Sequence, residues 1–326
     1  MNVLYLNTHD IGRYLQTYGY PVHTPNLLQL SREGMAFTQM YCASPTCSPS
    51  RGALLTGQYP HNNGLIGLSH RGFRVNGKHH LASYLKSQGY ETVLSGVQHE
   101  IRLHEEACLG YEKCLNPEHY YRKDLPQSEL YTWQDELAAQ NAISYLKQRK
   151  KTDRPFFLAV GFGCTHREYP RVPEGYEADY VQVPKALPNL PEIRKDMAGM
   201  QIAVETVDRL CGEIIKVLKE TGEYEETVIL FTTDHGLPFP MMKCNLYDDG
   251  IGVAFLLRYP GMPEKHCVKD TLLSQVDVFP TLCDILKLEK PVWLQGESFY
   301  PVIKGEQDEV REAVFAEINY HVAYEP

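Results

Sequence analysis

Apolar residues along the chain come in two kinds of run. Short continuous ones, rich in Val, Ile, Leu and Phe, recur at residues 3–6, 91–96, 156–162, 227–233 and 253–259. Runs without polar alternation suit strands buried on both faces of a parallel sheet. Between them lie longer stretches of helical period at 133–150 and 194–221, the second carrying Met197, Met200, Val204, Val207, Leu210, Ile214 and Leu218 as one core-facing stripe. Shorter helices are predicted at 24–34, 50–56, 81–89 and 274–286. The first of these has Thr24 as cap, Pro25 at its first position and Gly34 at its end, and Pro49 pre-sets the opening turn of the second. Residues 35–40 and 313–318 read as further strands. Strands alternating with helices predict an α/β chain.

Two segments break the pattern. Residues 101–131, rich in Tyr, Glu, Lys, Pro and His, predict a surface excursion that helps set specificity, and 169–191, with five prolines, predicts a long loop over the site. Lys147, Arg149, Lys150 and Lys151 read as the cation-rich end of a helix.

At 326 residues the chain is one large domain or two small ones, and 43% hydrophobic with 22% charged residues is ordinary globular composition. A formal charge of −9 and a pI near 5.8 argue against a nucleic-acid partner. An anionic substrate would therefore need locally gathered cations. There is no run of 18 apolar residues to span a membrane, and Met1-Asn2-Val3-Leu4 enters a strand with no charged leader before it, so the expected location is cytoplasmic. Nine scattered cysteines without a paired metal spacing suggest reduced thiols. A bridge from Cys42 to Cys47 would block any modification of Cys47.

Candidate chemistry gathers at the carboxyl ends of the predicted strands, the edge where open α/β sheets bind ligands. The ends read Asn7-Thr8-His9-Asp10, Gly96-Val97-Gln98-His99, Gly163-Cys164-Thr165-His166-Arg167 and Asp234-His235-Gly236. Asp10 and Asp234 offer hard oxygen ligands and His9 and His235 imidazoles that suit borderline ions, so the four are candidates for a divalent-metal site; a hydrogen-bonding or packing role for His9 and a capped turn for Asp234 and His235 are the alternatives. Cys47-Ser48-Pro49-Ser50-Arg51 places a thiol just before a helix start, which attracts anions, and Arg51 offers a permanently charged fork for oxyanions.

The stretch from Cys47 through Arg51 to Leu54-Leu55-Thr56-Gly57 resembles the sulfatase signature, and similarity to that family runs from Asn2 to Glu317. In the formylglycine-dependent sulfatases, part of the alkaline phosphatase superfamily, a maturing enzyme oxidises this cysteine to formylglycine. Its hydrated aldehyde attacks sulfur, and the second hydroxyl later lets the covalent sulfo-enzyme collapse. The resemblance implies a three-layer α/β/α sandwich with a mixed, mostly parallel central sheet. It also implies one divalent ion, calcium by family habit and manganese or magnesium given His9 and His235. Arg51 and Lys243, which stands before Leu246-Tyr247, would clamp sulfate; His166 would protonate the leaving atom and His99 would assist release.

The chain departs from the family at three places. His9-Asp10 stands where the family has two aspartates, and Asp234-His235 where it has aspartate and asparagine. Val97 stands where it has a lysine, with Arg13, Arg71 or Arg74 as substitutes. The stretch from Phe231 to Tyr247 is similar to sulfamidase-like members. The expectation is a catalytic domain over 1–326, with the family's smaller C-terminal sheet domain trimmed or absent. It would be a sulfuric ester or sulfamate hydrolase acting on a sulfated sugar or aryl sulfate, matured by a formylglycine-generating enzyme. A phosphonate monoester or phosphodiester hydrolase, favoured by His235 and Val97, and a non-catalytic binder of sulfated glycans are the rivals.

Overall fold

A computed structural model describes residues 1–120, 122, 124–150, 153–263 and 265–321. Its strands are β1 (Asn2–Thr8), β2 (Met35–Phe37), β3 (Met40–Tyr41), β4 (Glu91–Gly96), β5 (Lys113–Cys114), β6 (Phe156–Gly161), β7 (Thr227–Thr233), β8 (Phe255–Arg258), β9 (Cys267–Lys269) and β10 (Leu273–Ser274). The helices are α1 (Pro25–Glu33), α2 (Cys47–Thr56), α3 (Pro60–Asn63), α4 (Leu81–Ser87), α5 (Gln127–Gln148), α6 (Pro191–Glu220), α7 (Asp248–Ile251), α8 (Val278–Leu286) and α9 (Tyr300–Ile303).

Eight strands form one sheet in the order β5-β4-β6-β1-β7-β8-β2-β9, and β3 pairs with β10 apart from it. Only β8 runs against the rest, lying antiparallel to β7 and β2. β1 is central, in register with β6 from Val3 opposite Phe157 and with β7 from Asn2 opposite Thr227. Because side chains alternate along a strand, Leu4, Leu6, Leu158, Val160, Ile229 and Phe231 face one apolar layer with α1, α5 and α6. Val3, Tyr5, Phe157, Ala159, Val228 and Leu230 face another with α2, α4, α8 and α9. This is the expected three-layer sandwich, and the seven-residue stripe of α6 is buried throughout.

Several boundaries differ from the sequence reading. α2 begins at Cys47 and not Ser50, with Pro49 inside its first turn, where a missing N–H costs nothing. α5 begins at Gln127, six residues before Trp133, and thereby takes in the end of the supposed excursion, which also supplies the edge strand β5. The strand read at 35–40 is two, broken at Thr38 and Gln39. Residues 313–318 form no strand; the segment is tied by Glu317 N to Ala43 O at 2.9 Å and by Tyr320 N to Ile66 O at 3.0 Å. Thr24 does not cap α1 through its side chain; Asp208 of α6 does, accepting from Asn26 N and Leu27 N at 3.2 and 2.7 Å. In the basic cluster, Arg149 is an ion-paired residue, 3.4 Å from Glu91 and 3.3 Å from Glu223, and Lys151 lies outside the described residues. All nine cysteines are free, so nothing bridges Cys42 to Cys47. Among the described residues, no helix is long and apolar enough to cross a membrane.

Candidate active site

β1 and β7 are neighbours, so their carboxyl ends set Asp10 and Asp234 side by side. Asp10 N donates to Asp234 Oδ1 at 2.9 Å, and His235 N donates to the same oxygen at 2.9 Å. Asp10 holds the left-handed backbone conformation at φ 58°, costly for a side-chain-bearing residue and characteristic of functional sites. The β1 end is fixed from β6 as well: the Thr165 hydroxyl shares a hydrogen bond with that of Thr8 at 2.7 Å and accepts from His9 N at 3.2 Å. Behind Asp234, Ser50 Oγ lies 2.5 Å from its carbonyl, to which it donates, and 3.0 Å from Gln275 Oε1, locking α2 to β7.

α2 delivers Cys47 at its first residue, with Sγ 3.4 Å from His235 Nε2. One turn later the buried Arg51 lies under Asp234, with Nε 3.3 Å from Oδ2 and an N–H donated to Thr8 O at 3.1 Å. Lys243 Nζ spans the Asp10 carboxylate at 3.0 and 2.9 Å. His166 is partly exposed, with Nε2 4.0 Å from Asp10 Oδ2, and the His9 and His99 rings lie 4.7 Å apart. All nine residues singled out in the sequence therefore meet at one sheet edge.

The titrating groups divide by partner. Burial, with Arg51 beside it, holds His9 down to about 3 despite Asp234, and burial, His9 and Arg51 hold His99 well below the ordinary histidine range. Burial opposes charge on His235 too, but Asp234 and Asp10 overcome it and raise the imidazole to about 9. Asp234 is well below the usual carboxylate range, burial being outweighed by His235, His9 and Arg51.

The donor set fits a divalent cation. His9 Nδ1 is 2.8 Å from Asp234 Oδ2, yet it is buried and makes no hydrogen bond among the described residues. On the tautomer that leaves Nδ1 without a proton, two electron-pair donors converge at that distance. The ligand atoms of His9, Asp10, Cys47 and Asp234 all lie within 4.8 Å of one another, as do those of His9, Cys47 and His99. His235 stands beside the first group, 3.2 Å from Asp10 Oδ1.

Val97 occupies a cavity wall and is 9% exposed. Of the cations weighed as substitutes for lysine there, Arg13 is engaged elsewhere, 2.8 Å from Asp248 and stacked on Tyr41, and neither Arg71 nor Arg74 lines that cavity. The arginine that does line it is Arg102. Sequence reasoning missed this residue and the Thr165 hydroxyl: Arg102 lies in a stretch without period, and Thr165 is one residue of a strand-end run with nothing local to single it out.

A family model described as Sulfatase matches residues 1–288. The N-sulphoglucosamine sulphohydrolase of Homo sapiens is 29% identical over 94% of this chain and 66% of its own length. An ulvan-active sulfatase of Formosa agariphila is 28% identical over 94% of this chain and 55% of its own length. The chain thus spans between about half and two thirds of these relatives. Among solved structures, the phosphonate monoester hydrolase SpPMH from Silicibacter pomeroyi superposes with a TM-score of 0.76 at 19% identity, covering 96% of this chain and 78% of that one. Ps i-CgsB superposes with a TM-score of 0.73 at 22% identity, covering 94% and 77%. The fold they share with this chain is the alkaline phosphatase-like one. A family match over most of the length, on a sheet whose central strands end in the paired carboxylates, means that the chain belongs to the sulfatase family.

Proposed function

We propose that the chain hydrolyses sulfate esters or sulfamates, releasing sulfate from a sulfated sugar or aryl sulfate. The observation that carries this reading is the position of Cys47. It opens α2, 3.4 Å from His235 Nε2, and sits with its Sγ among the ligand atoms of His9, Asp10 and Asp234. Matured to formylglycine, Cys47 supplies a hydrated aldehyde as nucleophile. A divalent ion held by His9, Asp10 and Asp234, with His235 alongside, would lower the pKa of that hydroxyl and neutralise charge on the transferred group.

The remaining chemistry belongs to fixed side chains. Arg51 and the N–H groups opening α2 present positive charge to the sulfate from below, and Lys243 presents it from the Asp10 side. His166, open to solvent on one side, donates a proton to the departing oxygen or nitrogen. His99, whose ring lies 4.7 Å from that of His9, is the histidine assigned to assist release of sulfate. The sugar class is supported by relatives named for N-sulphoglucosamine and ulvan, and by a related structure titled as a complex with k-i-k-neocarrahexaose.

Phosphonate monoester or phosphodiester hydrolysis is the second reading, favoured by His235 on the metal side and by apolar Val97 where a sulfate-gripping cation would stand. Two measurements decide. Peptide mass spectrometry across Cys47 on protein from its native host should show formylglycine, and p-nitrophenyl sulfate should be cleaved faster than a phenyl phosphonate ester with manganese or calcium. A phosphonate preference overturns the sulfatase reading in favour of the second, and an unmodified thiol with glycan binding but no product would make the chain a binder.

A further inference from the structure

A cavity of about 280 Å³ opens from the centre on the His166 side, sharing His9, His99 and His166 with the site and running between the end of β4 and the start of α5. Ligand pockets span roughly 300–1,000 Å³, so this one is at the small end, suited to a single ring. Val97, Ile101, Leu103, Leu130 and the ring of Tyr131, which meets His166 edge-on at 5.8 Å, give it an apolar side, and Ser69 and His70 line it as well. Three glutamines also line it: Gln127 is exposed and uncharged, and the other two are engaged. Gln98 donates to Ile101 O and accepts from the Glu100 and Ile101 N–H groups, and Gln134 donates to Tyr120 O. Arg102 is different. It is exposed at the lip and makes no ion pair with any described residue. In a chain of net charge −9, a lone guanidinium facing a substrate cavity is a recognition group.

We propose that this cavity receives the leaving group as one ring, packed on Val97 and Tyr131, and that Arg102 reads a second anionic substituent on that ring, a carboxylate or a further sulfate. The inference rests on the hydrolase reading above and narrows it to doubly anionic substrates. Val97 then has a purpose: where a lysine would grip the sulfate, an apolar wall accepts the ring, and the cation is moved outward to Arg102.

The probes are 3-(carboxymethyl)phenyl sulfate, 3-(sulfooxymethyl)phenyl sulfate and the uncharged 3-(carbamoylmethyl)phenyl sulfate, whose methylene spacers keep the leaving phenols alike. A charged contact of this kind is worth about tenfold or more, so at least one anionic probe should exceed the amide by that factor in kcat/KM, mainly through KM. The better of the two identifies the substituent. Arg102→Gln should bring the ratio to near one, and Arg102→Lys should restore part of it. A ratio that survives Arg102→Gln, or no preference in the native chain, overturns the inference. If none of the probes releases sulfate the hydrolase reading fails, and the same ratio taken from calorimetric Kd values on Cys47→Ser decides the inference separately.

Discussion

Asp10 donates its backbone N–H to the side chain of Asp234 at 2.9 Å while holding a left-handed φ of 58°. The bond fixes two acidic groups from neighbouring strands against each other, an arrangement that electrostatics alone would oppose. Arg51, Lys243 and a protonated His235 supply the opposing charge. A site built to hold two carboxylates this close is suited to a cation between them.

Metal should therefore stabilise the fold. Manganese or calcium at a hundred times its Kd adds about 2.7 kcal/mol to the unfolding free energy, read as a rise in Tm that a chelator reverses. Asp234→Asn should abolish that response. It should also destabilise the chain by about 3–5 kcal/mol, because Arg51 is left buried beside a neutral amide. A metal-induced Tm shift that persists in Asp234→Asn would show that the ion binds elsewhere.

Thr165 supplies a hydroxyl that accepts from His9 N and pairs with Thr8. Thr165→Val keeps the shape and removes the acceptor, stranding a buried N–H at a cost of about 1–3 kcal/mol. Urea denaturation should show this loss, Thr165→Ser should recover most of it, and sulfate release should fall in the valine variant because His9 is no longer pinned. A valine variant as stable and active as the native chain would remove Thr165 from this role.

Lys243 spans both oxygens of Asp10 and is pushed above the ordinary lysine range, burial being outweighed by Cys47 and Asp10. As the proposed sulfate-gripping cation it should matter more to turnover than to folding. Lys243→Gln should lower kcat/KM for p-nitrophenyl sulfate by about 10²–10³, the scale of losing one donor to a developing oxyanion, and Lys243→Arg should regain part. Loss confined to Tm, with kcat/KM unchanged, would make Lys243 a structural counter-ion.

The central strands were legible because each is an apolar run ended by polar residues: β4 and β7 match their predicted bounds, and Asp10, His166 and Asp234 were found as strand-end residues. The signature at Cys47 likewise placed Cys47, the proposed nucleophile, and Arg51 together from local order alone. What stayed hidden depends on distant partners. Asp208 caps α1 from α6 across 181 positions, and Gln275 reaches Ser50 across 225, separations that no periodicity reports. Gln127 to Thr132 lacked an apolar stripe, so the start of α5 was read as loop, and with it the cavity wall at Leu130 and Tyr131. Residues 313–318 carry a strand-like composition but find no edge to pair with, so their backbone is held by single bonds.

Asp135 is fully buried on α5, accepting from Gly163 N at 2.7 Å and Cys164 N at 2.8 Å, and so fixes the turn that presents His166. Burial raises its carboxyl to about 7, against the pull of those donors. A carboxyl raised above its unfolded value of about 3.9 binds its proton more tightly in the folded chain. Its contribution to stability is complete below that unfolded value and is lost as pH rises through about 7. Asp135→Asn cannot titrate and lacks the dependence. The native chain should therefore lose stability relative to Asp135→Asn between pH 4 and pH 8, measured as the difference in urea unfolding free energies across that range. A constant difference would mean that Asp135 keeps its charge throughout, with the two N–H groups outweighing the cost of burying it.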